Sequence, residues 1–193
     1  MRPIWLMALA VLVAAPGAAA PQGDGTIRRY RIDDGSSEVD ARVAFLGLAS
    51  KTARFPDMNG SLALDVTDYQ AVDMVVNIDA RTLTTGDSET RRLRGRQFFD
   101  VARYPLVQFV ARRLELTGER TATVSGLMTA KGVTRTVALA ITFSKAPYLA
   151  GPDEPLTIAG STTIDRRQFN MAAFPLVIGN KVAISIRARL VPA

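Results

Sequence analysis

Apolar and polar residues alternate along most of this chain from Thr26 onward. A period of two places successive side chains on opposite faces of an extended strand, so the alternation predicts strands with one apolar face. We count about eight strands, joined by turns that suit antiparallel hairpins. The breakers that separate the runs are Asp34-Gly35, Asn59-Gly60, Thr117-Gly118, Lys131-Gly132 and Gly179-Asn180.

The segment from Asp87 to Arg94 departs from this rhythm. It combines polar helix formers with acidic residues at its start and arginines at its end, an order that suits the helix dipole. We expect a short helix there, leading into the sequence Gln97-Phe98-Phe99-Asp100.

Antiparallel strands favour a closed barrel, because closure leaves no strand edge unpaired. The sequence therefore predicts an all-β domain built as an eight-stranded antiparallel barrel with one short helix.

The positions that would face the inside of this barrel are rich in Val, Ile, Leu, Phe and Met, and no carboxylate is clearly committed to them. An eight-stranded barrel is either filled by its own side chains or holds one small ligand. The pattern alone leaves both alternatives open, since core packing explains each large apolar residue taken singly. Any cavity in such a barrel is expected to be apolar.

The first twenty residues have the layout of a secretory signal peptide. Arg2 precedes an apolar run from Ile4 to Ala15, and Pro16-Gly17 and small residues follow. The run is shorter than the roughly 20 apolar residues that a membrane span needs. We therefore expect residues 1–20 to be a cleavable signal peptide, residues 21–193 to form one barrel domain, and the protein to be periplasmic.

The 193 residues include no cysteine and no histidine, and these two absences exclude several classes of catalytic and metal site. No disulfide, thiolate nucleophile, Ser-His-Asp triad or His-ligated metal site can be built from these residues. The carboxylates show no spacing typical of acid–base catalysis. A net charge of +6 is typical of proteins that bind nucleic acid. The predicted signal peptide and the lack of an aromatic platform among the basic residues argue against nucleic-acid binding here. We expect no catalytic residue, no metal and no nucleic-acid partner.

A series of short motifs runs through the chain in a specific order. Leu93-Arg94-Gly95 is followed by Phe98-Phe99-Asp100 and Tyr104-Pro105, and then by Gly126-Leu127-Met128-Thr129 and Gly132-Val133-Thr134. Phe45-Leu46-Gly47 precedes this block, and Ile164-Asp165-Arg166 with Phe169 and Met171 follows it. Together these motifs resemble the YceI-like family of bacterial periplasmic proteins, over essentially all of Thr26 to Val191.

The resemblance implies a lipocalin-like barrel that holds a long isoprenoid chain of the polyprenyl or isoprenoid-quinone type. It implies a binding or carrier protein rather than an enzyme, with no cofactor other than a bound isoprenoid lipid or quinone as ligand. A ligand-free interaction or stress-response module built on the same barrel is the alternative. The residues that we expect to line the binding site are Phe45, Phe55, Met74, Val76, Phe98, Phe99, Phe109, Met128, Phe169 and Met171.

Arginines cluster on and just beyond the predicted helix, at positions 91, 92, 94 and 96. Such a cluster suits a phosphate head group or an anionic membrane surface. A solvated helix face balanced by Asp87 and Glu89 would show the same pattern. We name Arg92 and Arg94 as candidate head-group contacts, and we expect Arg94 to hold the helix in place through a buried contact.

The remaining charged residues have plain structural interpretations. We expect Asp100 to cap or close a turn after Phe99, and Asp165 to pair with its neighbour Arg166 beside the last hairpin.

The partners expected beyond the isoprenoid lipid are a membrane surface or a membrane redox protein. The protein is expected to be a monomer or a homodimer.

Overall fold

The computed structural model describes residues 27–47 and 49–193, so the predicted signal peptide lies outside the described residues. Within them the chain forms nine antiparallel strands, one short α-helix and three 3-10 turns, Ala80–Thr82, Pro147–Leu149 and Arg166–Phe169. The helix α1 (Glu89–Arg94) lies where the sequence predicted it. The strands are β1 (Ile27–Phe45), β2 (Ala49–Phe55), β3 (Met58–Asp65), β4 (Ala71–Asp79), β5 (Leu106–Leu116), β6 (Thr121–Ala130), β7 (Val133–Phe143), β8 (Leu156–Asp165) and β9 (Ile178–Pro192).

Eight of these strands close into a barrel. From β3 to β9 each strand pairs with the next one in chain order, and β1 pairs with both β3 and β9. The seam between β1 and β9 runs from Tyr30 opposite Pro192 to Phe45 opposite Ile178. The predicted eight-stranded antiparallel barrel with one short helix is therefore confirmed.

Strand β1 is long enough to serve two neighbours on the same side. Its first residues, Ile27 to Arg31, pair with β3, and its last residues, Val39 to Phe45, pair with β2. The register of β1 against β9 slips between Asp33 and Glu38, as it does where extra residues bulge from a strand. Asp34-Gly35 lies in this irregularity inside one strand, so the prediction of a turn there is wrong.

Two other predicted breakers also lie inside strands, Asn59-Gly60 in β3 and Gly179-Asn180 in β9. At Gly60 a Cβ atom would lie 2.2 Å from the carbonyl oxygen of Val75 on β4. Glycine is needed there for the close approach of two strands rather than for a turn. The other two breakers, Thr117-Gly118 and Lys131-Gly132, do connect hairpins, as predicted.

The two ends of the barrel differ in how they are filled. At the end that we call the closed end, fully buried side chains such as Tyr30, Leu114 and Leu156 occupy the interior. The 3-10 turn Pro147–Leu149 covers this end. The Nη1 group of Arg28 holds it by donating hydrogen bonds to the carbonyl oxygens of Pro147, at 3.1 Å, and of Ala150.

The opposite end, which we call the mouth, carries the β1–β2 turn, the segment 80–105 with α1, and the segment 166–177. The Arg94 guanidinium donates from Nε and Nη2 to the carbonyl oxygen of Leu83, at 3.1 and 2.7 Å. This is the contact expected to hold the helix. Arg54 of β2 and Thr84 exchange backbone hydrogen bonds of 2.8 and 2.9 Å, which tie the same segment to the barrel.

Strands β7 and β8 pair only from Ala140 to Phe143 of β7 and from Ile158 to Ser161 of β8. Towards the mouth the two strands diverge, and there the turn Arg166–Phe169 packs against β7 in place of β8. Phe169 is fully buried there. Among the described residues, no helix is long and apolar enough to cross a membrane.

Candidate functional site

Between the closed end and the mouth the barrel encloses a cavity of about 200 Å³. All nine strands contribute inward-facing residues to its wall, because the period of two gives each strand one inner face. A stable buried water needs two to four polar partners, so an apolar occupant suits this wall better than water. The polar side chains among the described lining residues are Lys51, Thr52, Thr85, Glu89, Thr162 and Arg166.

The structure places all ten residues that we expected to bind a ligand on the wall of this one cavity. They come from strands far apart in sequence, from α1's downstream segment and from the turn after β8. Phe55 and Phe99 meet edge to face, with ring centroids 5.4 Å apart, which suits two aromatic rings. That these side chains bind a ligand stays a prediction, while their position around a shared space is an observation.

Gly126 of β6 gives space to the cavity-lining residue Phe109, a role that sequence reasoning missed. A Cβ atom at this position would lie 2.6 Å from Cζ of Phe109 and 2.5 Å from the carbonyl oxygen of Val110. The missing side chain therefore makes room for the Phe109 ring to lie across the neighbouring strand. The signal in the sequence was a glycine at an inward position of an alternating strand, which marks close approach.

The candidate head-group residues Arg92 and Arg94 are not among the residues that line the cavity. Arg94 is committed to the carbonyl oxygen of Leu83. Arg92 pairs with Glu89 at 2.9 Å, and its guanidinium carbon lies 5.7 Å from the centre of the Phe174 ring. Both arginines stand at the rim of the mouth, and a head-group role for either stays a prediction.

Among the three charged residues that line the cavity, Lys51, Glu89 and Arg166, the buried one is Arg166, and sequence reasoning did not place it there. It is 4% exposed. Its guanidinium donates hydrogen bonds to the carbonyl oxygens of Gly179 at 2.9 Å, Ile178 at 2.8 Å, and Met171. Burial lowers the pKa of the Arg166 guanidinium from its usual value. Arg166 thus clamps the segment after the turn Arg166–Phe169 to the start of β9.

The predicted pair of Asp165 with Arg166 is wrong, because Asp165 pairs with Arg167 instead. Its Oδ2 lies 2.6 Å from Nη2 of Arg167, and its Oδ1 accepts the backbone N–H of Arg167 at 3.0 Å. Asp79 and Arg81 repeat this arrangement after β4. A carboxylate at the cap position accepts the N–H of the second residue of a turn, so the partner two residues on was the one to expect.

Charged side chains lie at the opening of the cavity. Lys51 and Asp87 form an ion pair of 2.7 Å, and Thr85 donates its hydroxyl to the same carboxylate at 2.6 Å. The hydrogen bond from Lys51, with others from Thr85 and the backbone N–H of Glu89, lowers the pKa of Asp87 to about 2. The same pairing raises the pKa of Lys51. Charged side chains therefore lie beside the opening of an apolar interior at neutral pH.

We expect the protein to lose stability as the pH falls from about 4 to 2. Hydrogen bonds from Arg167 lower the pKa of Asp165 to about 2, as Lys51 does for Asp87. An unfolded Asp titrates near 3.9, so each carboxylate stabilises the fold above that pH. The stabilisation is lost as the pH falls through the folded-state pKa. Thermal unfolding midpoints at pH 6, 4 and 2.5 measure the effect.

The double variant Asp87→Asn and Asp165→Asn tests whether these two groups carry that loss. Its unfolding midpoint should be lower than that of the wild type at pH 6, and should fall less on acidification. The double variant Asp153→Asn and Glu119→Gln changes the net charge equally at exposed positions. It should keep the wild-type pH dependence. Equal pH slopes for the first double variant and the wild type would contradict the assignment.

Among the described residues, no group of three or more Asp or Glu side chains lies close enough together to hold a metal ion.

The chain resembles known proteins in both sequence and fold. The sequence profile of the YceI-like domain matches residues 30–190. The chain belongs to the YceI-like family. The resemblance read from the motifs is thereby confirmed.

Curated relatives of this YceI-like chain include bacterial proteins named UPF0312. One from Pseudomonas syringae pv. tomato (strain ATCC BAA-871 / DC3000) is 32% identical over 107 residues, which are 55% of this chain and 56% of the relative. The chain thus spans about half the length of that relative in the match. One from Pseudomonas putida (strain GB-1) is 30% identical over 152 residues, which are 77% of this chain and 79% of the relative.

Solved structures share the fold of this YceI-like chain. Burkholderia cenocepacia BcnA superposes with a TM-score of 0.73 at 21% identity, covering 82% of this chain and 98% of BcnA. A polyisoprenoid binding domain from Saccharophagus degradans, implicated in plant cell wall breakdown, gives a TM-score of 0.67 at 14% identity. That match covers 85% of this chain and 98% of the domain. At these identities the likeness shows a common barrel fold.

Proposed function

We propose that this YceI-like protein is a periplasmic binding protein that holds a long isoprenoid chain inside its barrel and carries it without catalysing a reaction. The observation that carries the proposal is the apolar cavity of a barrel that is filled by side chains at one end and has charged side chains at the opening at the other. A molecule with a long apolar chain and a polar head fits that polarity. The Saccharophagus degradans domain of the same fold, described as polyisoprenoid binding, supports the ligand class.

The apolar wall supplies the driving force for binding. Removing a methylene group from water contributes about 0.8 kcal/mol, so several isoprene units supply more than the cost of immobilising the ligand. The tail enters first, because the inner wall offers few hydrogen-bonding partners. The head group, of the polyprenyl or quinone type, stays at the mouth near Lys51 and Glu89, where polar atoms and solvent meet it.

The decisive experiment is organic extraction of the protein, exported to a bacterial periplasm with its own leader and purified without detergent. Mass spectrometry of the extract should find an isoprenoid at about one molecule per protein. Added polyprenol should be taken up by delipidated protein, and a straight-chain fatty acid of equal carbon number should compete poorly. Protein that is empty after purification and rejects added polyprenol would instead support the ligand-free interaction module.

A further inference from the structure

Three large apolar side chains are exposed beside the mouth of the cavity. Leu46 in the β1–β2 turn is 60% exposed, Phe174 is 43% exposed and Leu176 is 96% exposed. We call these three residues the mouth patch. Single exposed apolar residues need no explanation, but a group of them at the entrance of an apolar cavity points to an apolar partner.

The mouth patch is one continuous surface that joins the cavity wall. The backbone N–H of Leu46 donates to the carbonyl oxygen of Val177 at 2.8 Å, which places the β1–β2 turn against the loop that carries Leu176. The Phe174 ring stacks on that of Phe98, with centroids 6.2 Å apart. Phe98 itself lines the cavity. An apolar chain that leaves the cavity therefore meets the mouth patch next.

The backbone holds two members of the mouth patch in an unfavourable conformation. Leu46 has φ +53° and Phe174 has φ +52°, in the left-handed region that bulky residues avoid. Such residues carry backbone strain, and strain of this kind clusters at functional positions. The turn and the loop thus present these side chains to the solvent against a local energetic preference.

Arginines flank the mouth patch. The segment 87–96 carries four arginines and two acids, and none of the residues of α1 is buried. Both acids already have partners, because Asp87 pairs with Lys51 and Glu89 pairs with Arg92. Among the described residues, Arg91 and Arg96 form no ion pair. The guanidinium of Arg92 lies over Phe174, so the cationic and apolar surfaces touch.

We propose that the mouth patch and the arginines on and just after α1 dock the protein on an anionic phospholipid bilayer. Leu46, Phe174 and Leu176 insert below the head groups, and Arg91 and Arg96 contact the lipid phosphates. Docking places the mouth against the acyl chains, so an isoprenoid moves between membrane and cavity without crossing water. The route rests on the proposed function, because it names where the isoprenoid enters and leaves.

A bilayer fits this surface better than a folded protein partner. A stable protein interface buries roughly 800 Å² on each side around an apolar centre, whereas the mouth patch has three apolar side chains on two loops. A small protruding apolar group with cations beside it is the combination that anionic lipid interfaces bind. The bilayer is also the phase in which isoprenoid lipids are stored.

Sedimentation with vesicles tests the docking surface. The wild-type protein should bind vesicles of phosphatidylcholine mixed with phosphatidylglycerol more tightly than vesicles of phosphatidylcholine alone. Leu176→Glu should weaken binding to the mixed vesicles about tenfold, since it removes a leucine that docking inserts into the bilayer and adds a negative charge that anionic lipids repel. Arg91→Gln with Arg96→Gln should also weaken it about tenfold. The matched control is Leu149→Glu, which changes a 67% exposed leucine at the closed end and should bind as the wild type does.

Equal binding of the wild type and Leu176→Glu, or equal binding to both kinds of vesicle, would overturn the docking surface. Polyprenol uptake from solution separates this outcome from the fate of the proposed function. Leu176 does not line the cavity, so Leu176→Glu should take up as much polyprenol as the wild type. A protein that takes up polyprenol but ignores anionic vesicles refutes docking alone. A protein that binds these vesicles but takes up no polyprenol refutes the proposed ligand alone.

Discussion

Replacing Arg166 with leucine should lower the free energy of unfolding by at least about 3 kcal/mol, the largest stability loss that we expect from a single substitution in this barrel. The buried guanidinium donates hydrogen bonds to the carbonyl oxygens of Met171, Ile178 and Gly179. Leaving a buried acceptor without a donor costs about 1–3 kcal/mol for each group. Leucine is apolar like the cavity wall, but it donates no hydrogen bond. Equilibrium unfolding in urea measures the loss.

Arg166→Lys should restore little of that stability, because a single ammonium group cannot reach three carbonyl oxygens that a planar guanidinium meets with separate N–H groups. The matched control is Arg187→Leu, the same substitution on the outer face of β9, where Arg187 is exposed. It should change the free energy of unfolding by about 0.5 kcal/mol or less. Similar urea midpoints for the two leucine variants would refute the structural role of Arg166.

The fold followed from the sequence because the period of two determines which face of each strand is apolar. That information is local, and it survives any error in counting strands. The errors arose at glycines, since a turn and a close approach of two strands both require a residue without a side chain. Gly60 sits where a Cβ atom would lie 2.2 Å from the carbonyl oxygen of Val75. Only the pairing of β3 with β4 reveals that requirement, and pairing is not a local property.

The cavity wall was predictable for the same reason, and the asymmetry of the barrel was not. Val76 and Leu114 both face inward on alternating strands, yet Val76 lines the cavity and Leu114 lies in the solid closed end. Whether an inward residue meets a neighbour or a space depends on how far it lies from each end of the barrel. The alternation of apolar and polar residues does not indicate that distance.

Arg166 illustrates a second limit of sequence reasoning. The run Asp165-Arg166-Arg167 offers two arginines to one carboxylate, and capping geometry selects Arg167. Arg166 is then free to turn inward, where it donates to the carbonyl oxygen of Met171 in the loop before β9 and to those of Ile178 and Gly179 at the start of β9. Strand β8 pairs with β9 only as far as Asp165 opposite Lys181, so the first residues of β9 extend beyond β8, a feature that only the assembled barrel displays.

Replacing Val76 with tryptophan should abolish polyprenol binding while leaving the barrel folded. Val76 faces the cavity in the middle of β4 and is only partly buried, so part of its surface borders open space. In a solid core the added bulk would cost about 1–3 kcal/mol or more. In a cavity the indole occupies the volume that the ligand needs, so the stability changes by less than about 1 kcal/mol while polyprenol uptake falls at least about tenfold.

Val75→Trp is the control, because Val75 is the adjacent residue of β4 and faces the outside of the barrel. It should keep both the stability and the polyprenol uptake of the wild type. Measured together, unfolding and uptake separate a cavity from a packed interior, since the two interpretations predict opposite patterns for Val76→Trp. A large stability loss in that variant would mean that the strands have no spare volume between them. Unchanged uptake in a stable Val76→Trp protein would mean that the isoprenoid binds somewhere other than the cavity.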